Sequence, residues 1–150
     1  MKAVIQRVKR ASVEINNELY SNIECGILVL LGIEKGDTEE QAEYLSKKII
    51  ELRIFDDNNG KMNLSLVDIN GAILIVSQFT LAGNCTKGKR PGFDNAAKPE
   101  TAIPLYEKFI EFLKDKNIQV ETGKFGAMMD ISLVNDGPVT FILSTSNVNI

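Results

Sequence analysis

The sequence predicts a single α+β domain over residues 1–150: a mixed, largely antiparallel and barrel-like β-sheet system with two main helices. Two observations carry this. Strand-like runs, alternating or continuously apolar, outnumber helical stripes, and only some of them are separated by helices. The composition, 44% hydrophobic and 25% charged over 150 residues, is that of an ordinary globular chain, long enough to build one core without disulfide or metal support. No internal repeat or low-complexity tract interrupts it.

Taken in order, the first third alternates with period two. Residues 1–8 read as a strand, and Val13 and Ile15 alternate with Ser12 and Glu14. Asn16-Asn17 supplies a turn, since Asn tolerates positive φ, and residues 19–23 return as a short strand. Residues 26–33 are continuously apolar, as expected of a strand buried on both faces. The period then changes. Ala42, Leu45, Ile49 and Leu52 form one stripe of a helix over residues 38–53, with Asp37 or Thr38 as its cap and Glu39 and Glu40 in its first turn. Turn-rich stretches at 56–60 and 69–71 lead into a second buried strand, 72–79. Residues 83–99 lack periodicity, and a loop of that length is usually functional or disordered. A second helix, from 99 or 101 to 116, turns Leu105, Tyr106, Phe109, Phe112 and Leu113 inward, with Pro104 near its start. Strands at 118–122, 128–134 and 139–144 close the chain, the last two joined by a hairpin turn at Asn135 to Thr140.

Composition excludes several kinds of chemistry. The chain has no histidine, which removes Ser-His-Asp and Cys-His nucleophiles, imidazole-dependent zinc sites and the commonest neutral-pH general base. Asp56-Asp57 with Gly60 lacks the downstream Glu of a calcium loop, and no Walker or dinucleotide-binding glycine pattern occurs. No metal and no cofactor is expected. A net charge of -3 gives no bulk attraction to nucleic acid, so any such binding needs a local patch. Cys25 and Cys85, far apart and outside any CxxC spacing, read as thiols of a reduced, cytoplasmic protein rather than as a disulfide. The N-terminal residues lack the apolar core of a signal peptide, and the longest apolar run is too short for a bilayer.

Three segments are more polar than packing requires. Ser77-Gln78-Phe79-Thr80 follows a buried strand; it is either a site opening at the strand end or a strand end whose hydroxyls satisfy turn carbonyls. Gly137-Pro138 lies in the expected hairpin turn, and X–Pro is the one bond where a cis isomer costs little, about 0.5–1 kcal/mol. Lys87, Lys89 and Arg90 put three cations on a glycine-flanked loop, which is either a phosphate-binding element or a solvated loop. Arg7, Lys9 and Arg10 form a similar small cluster. Met128-Met129 reads as core.

Together these segments resemble the D-aminoacyl-tRNA deacylase (D-tyrosyl-tRNA deacylase) family. The likeness runs through Arg7-Val8, Gly26 to Gly32, Gly60-Lys61-Met62-Asn63, Ser77-Gln78-Phe79-Thr80-Leu81, Lys87-Gly88 with Arg90-Pro91 and Phe93, Phe125 to Met129, and Asn135 to Thr140. One departure is Ala82-Gly83-Asn84-Cys85, where many members carry an aromatic and further polar residues. The resemblance implies a homodimer that hydrolyses the ester of D-aminoacyl-tRNA, and of mischarged glycyl-tRNA, as a proofreading step in translation. It places catalysis on Ser77, Gln78, Phe79 and Thr80. It places substrate binding and chiral selection on Gly137, Pro138 and Met129, with a cis Gly-Pro facing the partner's site. Lys87, Lys89, Arg90 and Arg7 become candidates for tRNA contact.

An aminoacyl ester is an activated substrate, so positioning and oxyanion stabilisation can supply much of the rate without imidazole. One mechanism uses the backbone N–H groups of Phe79 and Thr80 as oxyanion donors, with the ribose 2′-hydroxyl, or a water it orients, handling the proton. Its rival makes the Thr80 hydroxyl a covalent nucleophile. A non-catalytic tRNA-binding module and a general threonine esterase are the alternatives from other classes.

Overall fold

One strand organises the sheet in the computed structural model, which describes residues 1–116 and 118–146. This is β1 (Lys2–Ile15), whose predicted alternation buries Ala3 and Ile5 between partly exposed neighbours. One of its edges is shared between β2 (Glu18–Ile23), antiparallel to residues 11–15, and β3 (Gly26–Gly32), antiparallel to residues 2–8. Parallel pairing continues from β3 to β6 (Ala72–Ser77) and on to β7 (Gln119–Thr122). The other edge of β1 pairs along almost its whole length with β8 (Asp130–Ser144). The sheet thus runs β2-β1-β3-β6-β7 with β8 on β1, nearly closed into a barrel, and a small ribbon of β4 (Phe55–Asp56) and β5 (Met62–Leu64) stands beside it.

Both faces of the central strands are covered. Ile27, Val29, Leu31, Ile73 and Ile75 pack against α1 (Glu39–Glu51) and α2 (Pro99–Lys114), where Leu45, Ile49, Leu105 and Phe109 are buried. Leu28, Leu74 and Val76 point the other way, into a second cluster with Val8, Ala11, Val13 and Ile23. This two-sided burial is why residues 26–33 and 72–76 carry no polar alternation. No helix among the described residues is long and apolar enough to cross a membrane.

Of the two caps expected for α1, Thr38 is the one used, its N–H donating to Gln41 Oε1 at 3.0 Å, while the Asp37 carboxylate accepts the Glu34 N–H at 2.7 Å and pairs with the Met1 amine. Two other expectations change. The second buried strand stops at Ser77, because Phe79–Ala82 winds into a 3₁₀ turn. And the hairpin over 135–140 is absent. Gln6 pairs with Thr140 and Val8 with Asn135, so the four residues Asp136, Gly137, Pro138 and Val139 bulge opposite Arg7 alone within one continuous strand. The Asn135 side chain closes that excursion, accepting the Val139 N–H and donating to the Val139 carbonyl, both at 2.9 Å, so pairing with β1 resumes on either side.

Candidate active site

The strand end and the 3₁₀ turn make one wall of a cavity of about 690 Å³, contributing Ser77, Gln78, Phe79 and Thr80. Pro99 and Ala102, at the start of α2, form a second wall; Phe125, Met128 and Met129, after β7, form a third. The turn is set by close packing beneath it. Gln78 donates its N–H to the Leu31 carbonyl at 2.7 Å, continuing the register of β6 for one residue, and Leu81 and Gly83 close the turn onto Gln78 and Thr80. Gly32 lies under it with no room for a side chain: a Cβ there would stand 2.9 Å from Leu81 Cβ and 3.0 Å from the Gln78 carbonyl oxygen.

A 3₁₀ turn leaves its first N–H groups without an internal acceptor. In this turn they belong to Phe79 and Thr80, and among the described residues neither donates to a protein acceptor. Two adjacent free amides beside an apolar cavity are what oxyanion stabilisation requires. The Thr80 hydroxyl accepts a hydrogen bond from Gln78 Nε2 at 2.6 Å, and among the described residues no base takes its proton. That arrangement fixes the hydroxyl without activating it as a nucleophile. Behind the wall, the Tyr106 hydroxyl donates to the Ile75 carbonyl at 2.8 Å, and burial, with Tyr20 adding to it, holds this phenol well above its ordinary pKa. Tyr106 therefore stays neutral and supports β6. Among the described residues no group of three or more Cys, Asp or Glu gathers where it could hold a metal ion.

The other predicted residues are distributed unevenly. Met129 lines the cavity and packs on the second core cluster, whereas Met128, expected in the core, also lines the cavity but is 92% exposed, directly after a turn in which Ala127 donates its N–H to the Lys124 carbonyl. Gly137 and Pro138, joined by a cis peptide bond, are exposed and do not line this cavity. Arg7 is buried, with no free face for phosphate: Nη1 donates to the Ile54 carbonyl at 2.7 Å and Nε to the Asp136 carbonyl at 2.8 Å, with Asp56 and Asp136 carboxylates at 3.4 and 3.3 Å. Its role here is to clamp the bulge. Lys87, Lys89 and Arg90 are exposed on a loop whose base is clasped by two backbone hydrogen bonds between Asn84 and Gly92, and among the described residues none of the three forms an ion pair. In the segment that departs from the family pattern, Ala82 is buried under the turn, and Cys85 is exposed and free, as is Cys25. The sequence assigns no site role to Pro99, Ala102 or Phe125; the meeting of α2 with the end of β6 brings in the first two, and the segment after β7, whose Phe125 to Met129 motif was the available signal, brings in the third.

Fold and site together define an α+β protein with a cavity at the end of a buried strand, lined there by hydroxyl side chains and by residues with free backbone amides. The chain belongs to the D-Tyr-tRNA(Tyr) deacylase family, whose model matches residues 4–144. A relative from Thermosipho africanus named D-aminoacyl-tRNA deacylase is 59% identical over 148 residues, covering 99% of each chain. One of the same name from Geotalea uraniireducens is 61% identical over 145 residues, covering 97% of this chain and 94% of that one. The solved structure of a c-Myc DNA Unwinding Element Binding Protein matches with a TM-score of 0.90 at 44% identity, covering 96% of this chain and 98% of that chain.

Proposed function

We propose that the chain is a D-aminoacyl-tRNA deacylase: it hydrolyses the ester between a D-amino acid and the 3′ end of tRNA, acting as a proofreading enzyme in the cytoplasm. The observation that carries this reading, beside family membership, is the pair of free amides at Phe79 and Thr80 on the wall of an imidazole-free cavity. Water adds to the ester carbonyl, and the two N–H groups bind the oxyanion that forms. As the intermediate collapses, the C–O bond to the ribose breaks. The 2′-hydroxyl, or a water it orients, passes the proton from the attacking water to the leaving 3′-oxygen, so that free D-amino acid and tRNA result. Gln78 holds the turn and the Thr80 hydroxyl, Ser77 lines the cavity at the end of the strand that carries the turn, and Met129 bounds the amino-acid space.

Chirality is selected by a second copy of the chain. In a homodimer, Gly137 and Pro138 of one protomer enter the partner's cavity and receive the substrate α-amino group on their backbone carbonyls. A D side chain then points to solvent, while an L side chain collides with the inserted backbone. Exclusion by collision can exceed the roughly 1–3 kcal/mol that apolar pocket differences supply. Glycine has no side chain to exclude, so mischarged glycyl-tRNA is also a substrate. Support for the insert comes from its construction: Gly137 admits no Cβ, which would stand 2.2 Å from the Val139 nitrogen, and the segment is exposed rather than folded onto its own chain's cavity. Lys87, Lys89 and Arg90 contact the tRNA backbone.

The test is release of free amino acid from D- and L-aminoacyl-tRNA at catalytic protein concentration. Turnover of the D form only is expected, together with hydrolysis of the L form by Gly137→Ala. Binding without release would leave a tRNA-binding module, and trapping of an acyl-Thr80 adduct would overturn the mechanism.

A further inference from the structure

Phe93 lies outside the cavity, yet its ring packs on that of Phe79, with centroids 5.2 Å apart and planes at 59°. Phe79 lines the cavity and is 56% exposed, so few other contacts fix its ring. A tilted aromatic pair at this spacing contributes more than the area it buries. Phe93 also approaches the far end of the turn. Gly83 closes the turn by donating its N–H to the Thr80 carbonyl at 3.0 Å, and a Cβ at Gly83 would stand 3.1 Å from Phe93 Cε1 and 2.8 Å from the Thr80 oxygen. The φ and ψ of Gly83, -66 and 135, suit any residue, so the constraint there is space. Phe93 is anchored from its own side as well: Asn84 and Gly92 exchange backbone hydrogen bonds of 2.7 and 3.0 Å, and the Phe93 carbonyl accepts the Ala96 N–H at 3.0 Å.

We propose that Phe93 is a positioning residue. Held by the clasped loop, its ring braces Phe79 and the closing end of the turn, and thereby sets the Phe79 and Thr80 N–H groups that receive the oxyanion. The inference rests on the deacylase reading for the identity of what those amides bind, but not for the coupling itself. Because a small displacement of oxyanion donors weakens transition-state binding more than ground-state binding, Phe93 acts on kcat rather than on KM.

The experiment compares Phe93→Ala, Phe93→Tyr and Gly83→Ala in the full chain, with D-aminoacyl-tRNA and with D-aminoacyl-adenosine, which lacks the rest of the tRNA. Phe93→Ala should lower kcat about tenfold on both substrates with KM little changed, and Phe93→Tyr should restore it. Amide NMR supplies a readout independent of turnover: the Phe79 and Thr80 signals should move and exchange faster in Phe93→Ala and Gly83→Ala, while those of β6 stay in place. Unmoved amides, or a rise in KM confined to tRNA, would overturn the proposal, the latter making Phe93 a tRNA contact. If Phe93→Ala does not fold, Phe93→Leu and Gly83→Ala carry the same two readouts, and wild-type behaviour in both overturns it. A wild-type chain inactive on both substrates would sink the deacylase reading, while the amide signals would still decide what Phe93 does.

Discussion

The turn at residues 77–83 and the bulge at residues 136–139 both interrupt the sheet, and they are built in opposite ways. The turn is packed from outside: Gly32 beneath it leaves no room, Phe93 stands against it, and its free amides belong to residues that line a cavity. The bulge is exposed at Gly137 and Pro138, lines no part of that cavity, and is held from within by the Asn135 side chain and the buried Arg7. The first has the construction of a receptor, preorganised around empty space. The second has that of an insert, rigid while its outer surface is free. On the proposed reading neither is complete in a single chain, and the two should therefore fail differently when disturbed.

The largest expected effect is at the insert. Arg7→Met would take the donor from the Ile54 and Asp136 carbonyls and the cation from two solvent-accessible carboxylates, and leaving a buried acceptor unsatisfied costs about 1–3 kcal/mol. Denaturant unfolding should read that loss. Aminoacyl-tRNA assays should show L substrate beginning to be cleaved while the rate on D substrate falls less. Arg7→Lys should recover little of it, since one ammonium cannot span the Nε and Nη1 contacts. At the receptor, Gly32→Ala should do the reverse. Its Cβ must push Leu81 and the Gln78 carbonyl, displacing the donors, so kcat on D substrate should fall about 10- to 100-fold with L substrate still refused. Loss of discrimination in Gly32→Ala, or loss of rate alone in Arg7→Met, would break the division between the two regions.

How much of this could be read from the residues also differs between the regions. Residues 26–33 and 72–76 announce buried strands because both faces are covered, and α1 announces itself by its stripe. Ser77 to Thr80 was legible as a polar strand end, although the 3₁₀ turn was not. Its geometry depends on contacts with Gly32 and Leu31, about 45 residues away, which no local propensity encodes. The bulge is hidden from local reading for a related reason. Asn, Asp, Gly and Pro in succession are turn residues, and they do turn here, but pairing with the 14-residue β1 continues on both sides and overrides the hairpin. Arg7 falls in phase with Ala3 and Ile5, so the alternation does place it on the buried face, but nothing local shows that the bulge opposite supplies partners for its charge. Met128 is the converse case: an apolar residue in an apolar run, left exposed where the chain turns beside the cavity before β8.

The basic loop sharpens the comparison by asking what lies beyond the receptor. Replacing Lys87, Lys89 and Arg90 together with Ala should weaken D-aminoacyl-tRNA binding. It should also flatten the dependence of log affinity on log salt by about 0.7–0.9 for each phosphate contact removed. Turnover of D-aminoacyl-adenosine should be unchanged, because these side chains project from a loop clasped at its base and the turn keeps its support. An equal loss on both substrates would show that the loop shapes the receptor itself.

The smallest effect concerns a second buried charge, which holds the receptor's side of the barrel as Arg7 holds the insert. Glu34 accepts hydrogen bonds from Lys2 Nζ at 2.9 Å and Asn95 Nδ2 at 2.7 Å, and the same Lys2 reaches the Leu81 carbonyl at 3.4 Å. Burial raises the Glu34 pKa, but Lys2, the N-terminal amine and Asn95 together outweigh it, leaving the carboxyl below its ordinary value of 4.5. A folded-state pKa below the unfolded one stabilises the fold above about 4.5, and that stability is lost as pH falls through the folded value. Glu34→Gln keeps the shape and removes the charge, so it should melt lower than wild type near pH 7, by the equivalent of about 1 kcal/mol. The two melting temperatures should converge in acid, as pH falls below 4.5 and through the lowered folded-state value. Glu40, Asp57 and Asp68 are also held below their ordinary values, but they titrate alike in both proteins, so the difference between the two curves isolates Glu34. Parallel curves would mean that the carboxylate is not what fastens this corner. The support of the turn would then rest on Gly32 and Phe93 alone.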